Sequence, residues 1–153
     1  MARIAAITVN WNGADDTLAC LASLAAQTGL AEPSDGARSA GLPGSREATE
    51  AGATPHDGRD LHLIVVDNAS ADDSPARIGR EHPAAQVIAL AENRYYAGAL
   101  AVGAAAALAE GADWLLILNN DTVAAPDLVA RLLSAAQADP RCTAACPSIY
   151  LHD

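Results

Sequence analysis

The sequence predicts an α/β fold, a mostly parallel sheet with helices on both faces, and three observations point to it. Short apolar runs rich in β-branched or bulky residues recur along the chain, each too short for a helix. Longer amphipathic segments separate them. Clusters of Asn, Asp and Ser follow the runs, where the loops of an open parallel sheet carry its ligands.

The first run is Ile4 to Val9. After it, Asp15 and Asp16 suit an N-terminal cap, and Leu18, Leu21, Leu24 and Ala25 fall on one helical face. Leu61 to Val66 is the second run. Asp72 and Asp73 then cap a helix that Ser74-Pro75 opens in the cap-then-proline order. Gln86 to Leu90 is the third run, followed by a long Ala-rich helix with Gly111 where a C-terminal glycine belongs. Trp114 to Leu118 is the fourth. Pro126 and Asp127 start a last helix that carries Leu128, Val129, Leu132 and Leu133 and is stopped by Asp139-Pro140. From Gly29 to Asp60 the chain is Gly, Ala, Ser, Pro, Glu and Arg with hardly a bulky apolar side chain, too few to offset the entropy of ordering. We expect a disordered surface insertion there, a tolerated loop expansion rather than a binding element. There is no convincing internal repeat.

Composition excludes several chemistries. The 153 residues, about one domain by length, carry a formal net charge of −10 and no Lys. A P-loop, a pyridoxal-phosphate Schiff base and a protein-kinase site each need a Lys, so none acts from this chain alone. Nine scattered Arg residues build no obvious basic face, which argues against a nucleic-acid partner. The hydrophobic fraction of 51% is largely Ala, and the stretch from Ala97 to Ala109 is interrupted by Gly98 and Gly103. It falls short of the roughly 18 to 20 apolar residues of a membrane span, and the N-terminus is too short and polar for a signal peptide. A soluble, cytoplasmic protein is expected, with peripheral attachment to the inner face of a membrane as a variant. Cys20, Cys142 and Cys146 cannot all pair with one another and lack the partners of a zinc site, so buried free thiols are expected. His56, His62, His82 and His152 share no spacing and read as packing residues; Trp11 reads as pocket lining and Trp114 as core.

The polar clusters sit at the strand ends. They are Thr8-Val9-Asn10-Trp11-Asn12-Gly13, Asp67-Asn68-Ala69-Ser70, Glu92-Asn93 and Asn119-Asn120-Asp121-Thr122. Each alone is ordinary turn chemistry, but several at one sheet edge point to a site. Asp121 is a hard oxygen ligand suited to Mg²⁺ or Mn²⁺, which take few protein carboxylates and fill the remaining positions with phosphate and water. That accounts for diphosphate binding without Lys. Asp67, acceptor-only when ionised, suits a pyrimidine imide N–H or a ribose hydroxyl.

At these residues the sequence resembles the family 2 glycosyltransferases of GT-A fold, a Rossmann-like sheet, and in particular their rhamnosyltransferase-like members. The matching pieces are Ile7 to Asn12, Leu21-Ala22-Ser23-Leu24, Ile64 to Ser70 followed by Asp72, Glu92-Asn93, and Leu116 to Thr122. They occur in family order. The resemblance implies a nucleoside-diphosphate sugar donor, a dTDP- or UDP-sugar, with Mn²⁺ or Mg²⁺, and inverting transfer to a hydroxyl of a carbohydrate or lipid-linked sugar acceptor. It also implies that Thr8, Asn10, Asp67, Asn68, Asn93, Asn119 and Asn120 line the nucleotide site and that Asp121 holds the metal. Asn119 replaces the first Asp of the family's D-x-D pattern. Tyr95 stands where the family usually has Gly, and Ala101 where it usually has Asn; Tyr95 and Tyr96 either stack on the ligand or cover the core. The family's acceptor-binding half and its catalytic base lie beyond the N-N-D-T region, so the expectation is a single truncated domain with no catalytic residue of its own. A non-catalytic module that binds nucleotide or a partner is the alternative. The sheet edge left open by the missing half is expected to favour a dimer or a second chain.

Overall fold

All four apolar runs become strands. A computed structural model describes residues 2–30 and 61–151. In it β1 is Ile4–Asn10, β2 Leu61–Asp67, β3 Gln86–Ala89 and β4 Trp114–Ile117. The helices are α1 Ala14–Ala25, α2 Ser74–Glu81, α3 Tyr95–Ala109 and α4 Leu128–Ala138. The insertion expected from Gly29 to Asp60 lies, from residue 31 onward, outside the described residues.

The sheet is wholly parallel, in the order β3-β2-β1-β4. β1 and β2 pair along their full length, from Ile4 opposite Leu61 to Asn10 opposite Asp67. This pairing draws both polar end residues into the ladder, one residue beyond each apolar run. On its other side β1 pairs with β4, from Ile4 opposite Trp114 to Ile7 opposite Ile117. The direction of strand addition therefore reverses at β1. Right-handed crossovers then require α1 and α2 on one face and α3 on the other. The packing agrees: α1 and α2 pack together, α1 against β1 and α2 against β3, while α3 lies on β1 and β2.

Two cores result, one per face. Ala6, Leu63 and Val65 meet Leu21 and Leu24 of α1 and Ile78 of α2. The alternate residues Ala5, Ile7, Val9, Ile64 and Val66 meet Ala99 and Ala107 of α3. Leu128, at the start of α4, packs against the first cluster. The buried stripe of α3 is made of small residues, Ala99, Gly103 and Ala107, with Leu100 packed at its side. A methyl on Gly103 would lie 2.6 Å from Ile7 Cγ2 and 2.9 Å from Val66 Cγ2, closer than packed carbons come. Gly103→Ala therefore gains about 1 kcal/mol of helix propensity and loses more to overpacking. We expect a net loss of about 1–2 kcal/mol, read as a lower urea midpoint at unchanged slope.

Some local expectations need correction. Asp15 and Asp16 do not cap α1: Gly13 holds the cap position, and Thr17 N already bonds Gly13 O at 3.1 Å. The two carboxylates sit inside the first turn, where the helix dipole favours them. Ala25 is exposed rather than on the buried face. Asp73 holds the α2 cap position without a side-chain bond, and Asp72 Oδ1 instead accepts from Ser74 N at 3.1 Å. Gly111 does end α3, at φ +84° with Ala112 N bonded to Ala107 O at 3.0 Å. Of the three free thiols only Cys20 is buried; Cys142 is half-buried and Cys146 exposed, because the chain after α4 runs over the surface. Trp114, the first residue of β4, is half-buried and belongs to neither core. Among the described residues no helix is long and apolar enough to cross a membrane.

Candidate functional site

The reversal of strand order at β1 splays the loops after β1 and β4 apart, and the crevice it opens is where open α/β sheets take ligands. A cleft of about 570 Å³ lies at this edge, lined by Val9, Trp11, Asn68, Asn93, Tyr95, Tyr96 and Asn120. Three of the expected site residues, Asn68, Asn93 and Asn120, meet there. Their amides are held in place. Asn68 Nδ2 donates to Asn93 Oδ1 at 3.0 Å, Asn68 Oδ1 accepts from Arg94 N at 2.8 Å, and Tyr95 N also donates to Asn93 Oδ1 at 2.8 Å. Asn120 Nδ2 donates to Thr17 Oγ1 at 3.2 Å.

Asn10 and Asp67 lie beneath the cleft floor, at 0% and 2% exposure. Asn10 Nδ2 donates to Asp67 Oδ1 at 2.7 Å and to Ser70 Oγ at 3.1 Å. Asp67 also accepts from Ser70 Oγ at 2.6 Å and from Ser70 N at 3.0 Å. Ser70 Oγ in turn accepts from Asn12 N at 2.9 Å, and Asn12 Oδ1 accepts from Ala71 N at 2.8 Å. The network ties the loop after β1 to the loop after β2. Thr8 is buried in β1 with no partner for its hydroxyl among the described residues, and does not line the cleft.

The loop after β4 carries the acidic end of the site. Asn119 and Asp121 are exposed, and the turn between them is closed by Thr122 N on Asn119 O at 3.3 Å. No group of three or more His, Cys, Asp or Glu side chains among the described residues forms a ready-made metal cage. A single exposed carboxylate fits Mg²⁺ or Mn²⁺ in another way, as one ligand beside phosphate oxygens and water. Below the loop, burial first and then the Asp121 charge push the Cys20 thiol up to about 11. At pH 8 only about a thousandth of it would be thiolate. A thiol-reactive disulfide is therefore expected to label Cys146 first, Cys142 more slowly and Cys20 only on unfolding; mass spectrometry of the modified peptides reads the order.

Backbone strain gathers at this edge. Among the described residues three non-glycines have positive φ, Asn12 at 54°, Ala69 at 60° and Tyr95 at 55°. Each follows a different strand, and Asn12 is eased by its short polar side chain. Ala69 and Tyr95 are not, at about 1 kcal/mol each. Sequence reading did not find Ala69, since nothing in an Ala signals a left-handed backbone. At Tyr95 the signal existed: a glycine-type conformation at a position where the resembled family carries Gly. The aromatic rim, Trp11 at 61%, Tyr95 at 84% and Tyr96 at 46% exposure, surrounds the cleft rather than covering a core.

The sequence profile of Glycosyl transferase family 2 matches residues 5–153. Among curated proteins, succinoglycan biosynthesis protein ExoO of Rhizobium meliloti (strain 1021) is 33% identical over 87 residues, 56% of this chain and 24% of that protein. Among solved structures, the mannosyltransferase PcManGT of Pyrobaculum calidifontis, in complex with GDP-Man and Mn²⁺, superposes with a TM-score of 0.57 at 22% identity. It covers 90% of this chain and 33% of its own. S. aureus TarS 1-349 in complex with UDP superposes with a TM-score of 0.56 at 15% identity, over 88% of this chain and 33% of that one. The α/β arrangement is that of GT-A glycosyltransferases. The chain thus spans about a quarter of the curated relative and a third of each structure. The chain belongs to glycosyl transferase family 2.

Proposed function

We propose that this chain is the donor-binding part, the N-terminal half, of an inverting glycosyltransferase of the rhamnosyltransferase-like branch. It takes a dTDP- or UDP-sugar with Mn²⁺ or Mg²⁺. The carrying observation is the asparagine-lined cleft at the β1/β4 crevice with Asp121 on the adjoining loop. Among the described residues the lining contains no Lys, Arg or His, so the charge of a diphosphate calls for a cation from outside this lining. Asp121 is the residue that would hold it. Bound there, a divalent cation supplies neutralisation of the charge that builds on the leaving diphosphate.

The chain's own residues do the rest. Asn68, Asn93 and Asn120 offer neutral donors and acceptors along the cleft, oriented in advance by their bonds to one another, to backbone N–H groups and to Thr17. Trp11, Tyr95 and Tyr96 supply flat apolar faces that exclude water and stack on a ring. Asp67 already takes three hydrogen bonds and keeps one acceptor site of about four for an imide N–H or ribose hydroxyl. Asn10 acts from below by aligning Asp67, while Thr8 stays buried in β1 and is no ligand contact. A carbohydrate or lipid-linked acceptor and the catalytic base belong to the remainder of the transferase. A second chain or dimer partner would join the sheet at the β4 edge. The curated relative is a succinoglycan biosynthesis protein, which supports a role in cell-envelope polysaccharide synthesis; work at the inner face of a membrane is part of the same proposal.

A second reading, nucleotide binding without turnover, is favoured by one observation: among the described residues no carboxylate or imidazole lines the cleft to deprotonate an acceptor. Calorimetric titration with dTDP and UDP, with and without Mn²⁺, tests the shared core of both. Affinity that rises with Mn²⁺ supports donor binding, and a folded protein that binds neither nucleotide rejects it. Glycosyl transfer or slow donor hydrolysis then separates the two readings.

A further inference from the structure

The loop that carries Asp121 has no regular structure from residue 118 to 127, yet it is held at several points by a single helix. Thr17, Cys20, Ser23 and Gln27 recur at intervals of three or four along α1 and its C-terminal end, so they share one face. Thr17 Oγ1 accepts from Asn120 Nδ2 at 3.2 Å, and Cys20 Sγ lies 3.8 Å from Asn119 O. Ser23 Oγ accepts from Ala124 N at 3.0 Å while donating to Cys20 O at 2.7 Å. Gln27, 5% exposed, donates through Nε2 to Ala125 O at 2.7 Å and accepts through Oε1 from Val129 N at 2.9 Å. Both ends of one buried amide are thus engaged by the loop and the first turn of α4. Thr17 also donates to Asn10 Oδ1 at 2.8 Å. The stripe therefore connects the Asn10–Asp67 network to the Asp121 loop.

We propose that Ser23 and Gln27 are positioning residues for Asp121. Resting on the donor-site reading above, the inference is that the polar stripe of α1 orders the loop before ligand arrives. A divalent cation and a nucleoside diphosphate then meet a carboxylate already in place. The argument is entropic as well as geometric: an unheld loop would lose its freedom on binding, and that loss would subtract from affinity. Residues that orient a metal ligand from behind typically change metal affinity by about 10- to 100-fold when removed.

The test compares the whole chain with Gln27→Met, which keeps the volume and removes the bonds to Ala125 O and Val129 N along with a third, from Nε2 to Ser23 O at 3.2 Å, and with Ser23→Ala. UDP and dTDP are titrated with and without Mn²⁺, and amide exchange is followed at Ala124 and Val129 against Ile7 and Ile64 as internal references. We expect faster exchange at the loop amides only. The Mn²⁺-dependent gain in affinity should fall about 10- to 100-fold while metal-free nucleotide affinity stays. Ser23→Thr, which keeps the hydroxyl, should restore the gain; a merely structural loss would lower thermal stability and leave the gain intact. Ser23→Ala, the smaller change, keeps the test open if Gln27→Met does not fold. Unchanged loop protection with an unchanged Mn²⁺ gain overturns the proposal. If the wild-type chain shows no Mn²⁺ gain, the donor-site reading fails instead. Exchange alone then decides whether the stripe holds the loop: faster exchange upholds it and unchanged exchange overturns it.

Discussion

Asp121→Ala is expected to reduce nucleoside diphosphate affinity in Mn²⁺ to the metal-free level. We expect a loss of more than about tenfold, or about 1.4 kcal/mol for each factor of ten. Asp121 is the only carboxylate in the N-N-D-T cluster, and both asparagines before it are neutral. A water in place of the carboxylate would bring no negative charge, so a divalent cation would be held less well beside the diphosphate. The fold should be indifferent, since the side chain is exposed and makes no buried contact on which a strand depends. Asp121→Asn should lose as much, because shape without charge does not hold a hard cation. A second readout comes from Cys20. Removing the Asp121 charge takes away the lesser of two causes that raise the thiol, so its pKa should move down from about 11 and stay above the ordinary thiol range, with burial unchanged. Equal Mn²⁺-dependent affinity in the variant and the wild type would reject Asp121 as the metal ligand.

The largest loss of stability is expected from Asp67→Ala. The change strips the acceptor from Asn10 Nδ2, Ser70 Oγ and Ser70 N at a site 2% exposed. Buried donors without acceptors cost about 1–3 kcal/mol each. Asn10 Nδ2 keeps Ser70 Oγ as a fallback at 3.1 Å, so we expect a net loss of about 3 kcal/mol. Asp67→Asn, which retains one acceptor oxygen, should lose less. Urea unfolding followed by circular dichroism measures both. Binding separates structure from recognition: if Asp67 also receives a base or ribose, nucleoside affinity falls in conditions where the variant is fully folded, and the Mn²⁺ gain survives. A wild-type urea midpoint in Asp67→Ala would show that the network does not support the sheet edge.

Much of this site was legible from the chain. The four runs were readable as strands because parallel strands are covered on both faces and so accumulate Val, Ile and Leu without a polar partner phase. That the polar residues after them share one edge followed from parallelism alone. Strand order did not. Nothing between Ala89 and Trp114 states that the chain returns across the sheet to the far side of β1, since a crossover helix of fifteen residues reaches either neighbour. Depth was equally hidden. Asn10 and Asp67 were readable as ligand contacts because polar residues at strand ends usually meet solvent. Only the register that sets them side by side shows that each first satisfies the other. Gln27 left no signal at all, being one more polar residue at a helix end until its partners on the Asp121 loop and α4 are seen.

The return of the chain to the far side of β1 also distributes the difficulty of assembly unevenly. β2 and β3 are joined through α2 alone, whereas β1 and β4 are joined through everything from α1 to α3. The cost of closing a loop grows with its length, so the β1–β4 seam is the expensive one to form and the first to gain from anything that shortens the search. The candidate crevice opens at that seam. Whatever bridges it, a cation and diphosphate spanning the two loops included, stabilises the pairing that the chain itself finds hardest to make.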